Sequence, residues 1–171
     1  MPESAYDCIV IGSGPGGYVA AIRAAQLGMS TAVIEKDTVG GRCLNYACIP
    51  AKAVLRVADV LHEIDDADEF GISVPERTVD FGKVFERRQK VVKTLTGGVS
   101  GLFKKNKIDY IEGTAKLAGG NKVSVDGTEI EARKAIVLAV IAVCSAQFWF
   151  LIRAMARIQM PERARRERDA R

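Results

Sequence analysis

Histidine and tryptophan are almost missing from this chain of 171 residues, which has one of each, His62 and Trp149. A structural zinc site takes about four Cys or His ligands. With a single histidine and no C-x-x-C pair the sequence offers no such set, and no metal site is expected. Cysteine is scarce too: four in a chain of this length do not make a disulfide scaffold. No basic leader opens the chain, because Glu3 and Asp7 stand where one would be and the first apolar run is short. A reducing, cytoplasmic setting is therefore the expectation, and there a close cysteine pair is more often catalytic or metal-binding than structural. Lysine stops at Lys134. Residues 1–139 carry 18 basic and 18 acidic side chains, whereas 140–171 carry 7 arginines against 3 acids. The whole +4 net charge thus belongs to the tail, which lacks aromatics interleaved among its arginines, so no nucleic-acid partner is expected. No internal repeat is visible.

What is present is one ordinary globular domain's worth of sequence, 48% hydrophobic and 27% charged, with 16 glycines. Residues 5–11, Ala-Tyr-Asp-Cys-Ile-Val-Ile, form an apolar, β-branched run of the kind buried in a parallel sheet, with Cys8 as core packing. Gly12-Ser13-Gly14-Pro15-Gly16-Gly17 follows at once. Residues 18–27 have helical spacing closed by Gly28, and residues 31–35 are a short strand ending on Glu35. Strand, glycine turn, helix and acid-tipped strand together make the dinucleotide-binding fingerprint. In that pattern Gly12 permits the tight turn, Gly14 lets a pyrophosphate approach the backbone, and Gly17 lets helix pack on strand. The helix N-terminus supplies N–H groups for phosphates, and Glu35 can accept from ribose hydroxyls.

The densest stretch comes next: Gly40-Gly41-Arg42-Cys43-Leu44-Asn45-Tyr46-Ala47-Cys48-Ile49-Pro50-Ala51-Lys52. Thiols placed like Cys43 and Cys48 bind metal, form a disulfide or run redox chemistry, and the preceding turn favours the third. Residues 47–64 have an apolar stripe at helical spacing, with Pro50 in the first turn. His62, beside Glu63, Asp65 and Asp66 near the helix end, reads as solvated rather than catalytic. Residues 65–80 read as an acidic connection and residues 81–105 as a second helix, weakened by Gly97, Gly98 and Gly101, which are placed to allow close packing. Strands follow at 108–113, 115–117, 122–125, 129–130 and 135–139, with turns at 119–121 and 126–127.

The glycine turn, the acid ending the second strand, and the Gly-Gly-x-Cys-x-Asn-x-x-Cys-Ile-Pro-x-Lys stretch resemble the flavin-dependent pyridine nucleotide–disulfide oxidoreductases over about residues 4–139. Within that family the wording around the cysteines is most similar to the dihydrolipoyl dehydrogenases. Glutathione and mercuric reductases, the alternatives within the family, more often carry valine after each cysteine. Ala47 stands where glycine is usual. The resemblance implies an α/β fold: a Rossmann-like FAD-binding domain over 1–139, parallel sheet with helices plus a small antiparallel β-meander, incomplete against the family's length. It implies FAD held by Gly12, Gly14, Pro15, Gly16, Gly17, Glu35, Lys36, Gly40, Gly41, Arg42, Cys43, Lys52, Gly113 and Ala115. It implies a redox disulfide between Cys43, which exchanges with the dithiol, and Cys48, which faces the flavin. The implied reaction passes electrons from a dihydrolipoyl group of a 2-oxo acid dehydrogenase complex through FAD to NAD+.

After Ala139 the family's pattern is lost. The family's NAD domain and its interface domain, with an acid/base histidine that His62 does not match, have no counterpart in residues 140–171. That segment reads as an Arg-rich tail outside the family, as a frameshift or disrupted gene would leave. On this reading the chain alone is inactive, a non-catalytic flavin-binding remnant is the alternative, and the family's homodimer does not follow automatically. Residues 135–152 are 18 long without a charge, the lower limit for a membrane span. A membrane-tethered flavoprotein is the weaker reading, because 135–139 already serve as a core strand.

Overall fold

A computed structural model describes residues 4–139; the Arg-rich tail, and the readings of a changed frame or an anchor placed on it, lie outside the described residues. Among the described residues no helix is long and apolar enough to cross a membrane.

Strand β1 (Ala5–Ile11) is the centre of a six-stranded sheet. It leads through α1 (Pro15–Gln26) to β2 (Thr31–Glu35), parallel to it. Three helices follow: α2 (Gly41–Asn45), α3 (Cys48–Asp65) and α4 (Phe81–Lys105). Then come β3 (Asp109–Glu112), β4 (Ala115–Gly119), β5 (Lys122–Val125) and β6 (Thr128–Leu138). The strand order is β3-β2-β1-β6-β5-β4, with β3, β2, β1 and β6 parallel and β4–β6 an antiparallel meander. The expected Rossmann-like arrangement, parallel sheet plus meander, is what the chain forms.

The unbroken apolar runs of β1 and β2 are explained by burial on both faces. Cys8, Val10 and Val33 pack toward α1, Leu44 and the end of α4, while Tyr6, Ile9, Ala32 and Ile34 pack toward Val123, Val125 and Ile130. Ile9 has no exposed surface at all. Burial, aided by the neighbouring Asp7 charge, pushes the Cys8 thiol up, so it stays protonated and inert, as a core side chain should. At the opposite end of the sheet from the glycine turn, the Asp7 carboxylate holds Arg133 and Lys134 of β6 at 3.2 and 3.4 Å.

Several boundaries differ from the sequence reading. Helix α1 begins at Pro15 rather than at 18, because proline's fixed φ suits a first turn and Gly14 serves as the N-cap. The segments at 129–130 and 135–139 are one strand, β6, which is antiparallel to β5 through Glu131 and parallel to β1 through Leu138. A register shift between Tyr6 and Cys8 absorbs the irregularity that made it read as two. Short α2 was not expected. It is held by Asn45, whose Nδ2 donates to the Val39 and Gly41 carbonyls at 3.0 and 2.9 Å. The 65–80 connection contains a 3-10 turn, Ala67–Phe70, and an Arg77–Asp65 ion pair. Helix α4 runs through its three glycines, capped by Asp80, which accepts from the Lys83 N–H. A Cβ built at Gly97, Gly98 or Gly101 meets nothing within 4 Å, so close packing is not why they are there. His62 is half-buried on the last turn of α3.

Candidate functional site

Parallel register brings the ends of β1, β2, β3 and β6 level. Ile11 lies beside Ile34 and Leu138, and Glu35 beside Glu112. The ladder continues into the loops: Gly12 N–H donates to Ile34 O, Gly113 N–H to Glu35 O and Ala139 N–H to Ile11 O. Gly12, Gly113 and the Glu35 carboxylate therefore meet at the carboxyl edge of the sheet. Here the connections from β1 diverge, with β2 on one side and β6 on the other, the place where open α/β sheets bind ligands.

The turn is built as its glycines require. Gly12 has φ +96, a conformation that glycine adopts freely. A Cβ at Gly17 would overlap the Gly12 carbonyl oxygen, so only glycine lets α1 start this close to β1. Gly14 differs: a Cβ there meets nothing within 4 Å, and α1 has no side-chain cap. With no side chain capping them, the first N–H groups of α1 are of the kind that takes an anionic ligand at a helix N-terminus.

Glu35, 8% exposed, anchors the loops around this turn. Its Oε2 accepts from both the Ser13 N–H and the Ser13 hydroxyl at 2.8 Å, and its Oε1 accepts from the Asp37 N–H at 3.2 Å. Ser13 Oγ in turn accepts from the Gly40 N–H at 3.1 Å. Gly40 is left-handed at φ +89, and a Cβ on Gly41 would lie 3.0 Å from Gly14 Cα. The chain thus folds back on its own glycine turn immediately before the cysteines. Cys43, in α2, and Cys48, the first residue of α3, are joined in a disulfide with Cα atoms 4.8 Å apart, both half-buried.

Residues 6–142 match the family described as pyridine nucleotide-disulphide oxidoreductase. The chain belongs to this family. Among curated relatives, a dihydrolipoyl dehydrogenase of Bacillus subtilis (strain 168) is 51% identical over 119 residues, 70% of this chain and 25% of the relative. One of Chlamydia trachomatis serovar D is 45% identical over 139 residues, 80% of this chain and 30% of the relative. One of Thermus scotoductus is 47% identical over 133 residues, 77% of this chain and 28% of the relative. The chain therefore spans between a quarter and a third of the length of these relatives.

The remaining candidate residues of this pyridine nucleotide-disulphide oxidoreductase chain lie on the segments that follow β2 and β3. Lys36 and Arg42 are exposed beside the turn and α2, and Lys52 is exposed on α3, one helical turn after Cys48. A side chain at Gly113 would run into Val125 and Asp126. Ala115 opens β4, paired with Val125. Ser13 was not singled out from the sequence. The signal was there, since a hydroxyl inside a glycine turn has nothing to do unless it bonds locally. Among the described residues no group of three or more His, Cys, Asp or Glu side chains is placed to hold a metal ion.

A groove of about 660 Å³ lies to one side, between α4 and the β3 edge, lined by Asp37, Asn45, Ser100, Lys104, Tyr110 and Glu112 among others. It includes neither cysteine and no residue of the glycine turn. Burial, together with the Glu35, Glu112 and Asp37 carboxylates, pushes the Tyr110 phenol up to about 12 from its ordinary 10.0. A raised pKa means that the folded chain prefers the neutral phenol. The associated stability is complete below pH 10 and is lost as pH rises toward about 12. Ultraviolet titration of the native protein is expected to show a late phenol that Tyr110→Phe removes. Loss of a phenol titrating at 10 instead would refute this placement.

Proposed function

We propose that this chain supplies the FAD-binding and dithiol–disulfide centre of a dihydrolipoyl dehydrogenase-type oxidoreductase. The observation that carries the reading is the hydrogen-bonded link from Gly40 through Ser13 to Glu35, which ties a cystine to a dinucleotide-type turn. The turn fits the cofactor: open space over Gly14, uncapped N–H groups on α1, and a carboxylate at the tip of β2. Gly12, Gly14, Pro15, Gly16 and Gly17 would face the pyrophosphate, and Glu35 and Lys36 the adenosine ribose. Gly113 and Ala115 would flank the adenine end. Gly40, Gly41, Arg42, Cys43 and Lys52 would line the approach to the ring. When bound, FAD supplies a two-electron acceptor for the reduced cysteines.

The chain's own residues perform the exchange. A thiolate of a dihydrolipoyl-type substrate attacks Cys43 Sγ, forming a mixed disulfide as the Cys43–Cys48 bond breaks. Cys48 leaves as a thiolate at the N-terminus of the 18-residue α3, where the helix dipole stabilises negative charge. The lower-pKa thiol leaves faster, which favours attack on Cys43. The second substrate thiol, once deprotonated, displaces Cys43. The substrate ends as a disulfide, both cysteines are reduced, and two electrons have moved. The sequence has one G-x-G-x-x-G turn, so the reading gives this chain the dithiol half-reaction and no NAD+ reduction by itself. The partner implied by the relatives' name is a lipoyl-bearing protein.

Titrating the purified chain with FAD tests the reading. Quenching of flavin fluorescence and a yellow, gel-filterable complex are expected, with bleaching on addition of dihydrolipoamide. A chain that neither quenches nor retains FAD would overturn it.

A further inference from the structure

We infer that Ser13 is a positioning residue that couples the nucleotide-binding carboxylate to the redox helix; its cofactor arm rests on the FAD reading above. Ser13 is fully buried. Its hydroxyl donates to Glu35 Oε2 at 2.8 Å, with the Thr38 carbonyl a more distant acceptor at 3.5 Å, and accepts from the Gly40 N–H at 3.1 Å. The first bond, with the Ser13 N–H on the same oxygen, fixes the carboxylate plane and leaves Oε1 to the Asp37 N–H and to an incoming donor. The second bond pins the residue that caps α2, three positions before Cys43. Oriented hydrogen bonds in a buried site are mutually reinforcing, so loss of the hydroxyl frees both ends at once. Nothing else among the described side chains bridges the turn to Gly40: Gly41 N–H bonds to Thr38 O within its own loop.

Ser13→Ala keeps the backbone bond and removes only the hydroxyl. In the ligand-free full chain, amide exchange at Gly40 and through α2 is expected to speed up about tenfold, with the amides of β1 and β2 unchanged. Uniformly faster exchange across β1, β2 and α2 would mean ordinary destabilisation and overturn the proposal, as would no change at Gly40. The second readout is FAD affinity in a double-mutant cycle. Ser13→Ala is expected to weaken binding about tenfold in the parent, but by less than about twofold in a Glu35→Ala background, because it acts through that carboxylate. Equal factors in both backgrounds would overturn the coupling. Failure of the parent chain to bind FAD would sink the functional reading and the cofactor arm together, while the exchange experiment still decides the link to α2.

Discussion

Cys43→Ser is expected to reduce dithiol–disulfide exchange to the level seen without protein, and Cys48→Ser to leave a Cys43 that forms a lasting mixed disulfide with an added monothiol disulfide but cannot complete the exchange. The asymmetry follows from where the two sulfurs sit. Cys48 is the first residue of α3, while Cys43 lies in the five-residue α2 and receives no comparable dipole. With Cys43 gone, the thiol left of the pair is Cys48 at the helix N-terminus. With Cys48 gone, Cys43 still attacks a disulfide, but no neighbouring thiol resolves the product. The rate of reaction with dithiodipyridine against pH separates the variants. The Cys43→Ser protein should reach half its limiting rate at a lower pH than the Cys48→Ser protein. The reverse order would show that the helix dipole does not set the leaving group, and the assignment of Cys43 as the attacked sulfur would fall with it.

Gly17→Ala is expected to destabilise the chain by about 2 to 3 kcal/mol, lowering Tm by roughly 5 to 10 °C, and to abolish measurable FAD binding. The new methyl would run into the Gly12 carbonyl oxygen and lie 3.0 Å from the Ala139 Cβ, and neither neighbour is a flexible side-chain end. Gly14→Ala is the informative companion. Its backbone, at φ −63, suits alanine and its Cβ meets open space, so stability should stay within about 1 kcal/mol. If a pyrophosphate lies against Gly14, affinity should nonetheless fall about tenfold or more. Equal stability losses in the two variants would contradict the packing account of the turn, and unimpaired FAD binding by Gly14→Ala would contradict the ligand account.

Much of this was readable in the residues because the physical demands are local. A β-branched run that ends in G-x-G-x-x-G and leads to an acid-tipped strand specifies β1, α1 and β2 together, since turn, helix start and strand end constrain one another over about thirty residues. The bounds of α4 and β5 came through intact for the same reason: a helical stripe and short runs between turn residues need no distant partner. The two segments that read separately and form β6 did not, because continuity there depends on pairing with β1, more than a hundred residues away, and on a register shift that no local pattern announces. Helix α2 was hidden because five residues carry no periodicity, and it is stabilised by Asn45 side-chain bonds instead. Glu35 was legible as a residue type but its present bonds were not. A carboxylate at that position reads as a ribose acceptor, whereas its contacts to Ser13 become visible only once the turn and β2 are side by side.

The pairing of β1 with β6 has a consequence for how the chain is made. Until residues near 138 leave the ribosome, β1 has a partner on one side only, and its other edge is an open row of hydrogen-bonding groups flanked by side chains as apolar as Ile9 and Val10. The contact that finishes the sheet is the one of greatest sequence separation, and such contacts form late. The Gly12–Gly17 turn leans on Ala139, so the turn is completed by the last residue of the described chain rather than by the first strand and helix that bear its signature. Nascent chains shorter than about this length would carry the fingerprint without the completed sheet that supports it, and would leave an apolar strand edge open in the interval.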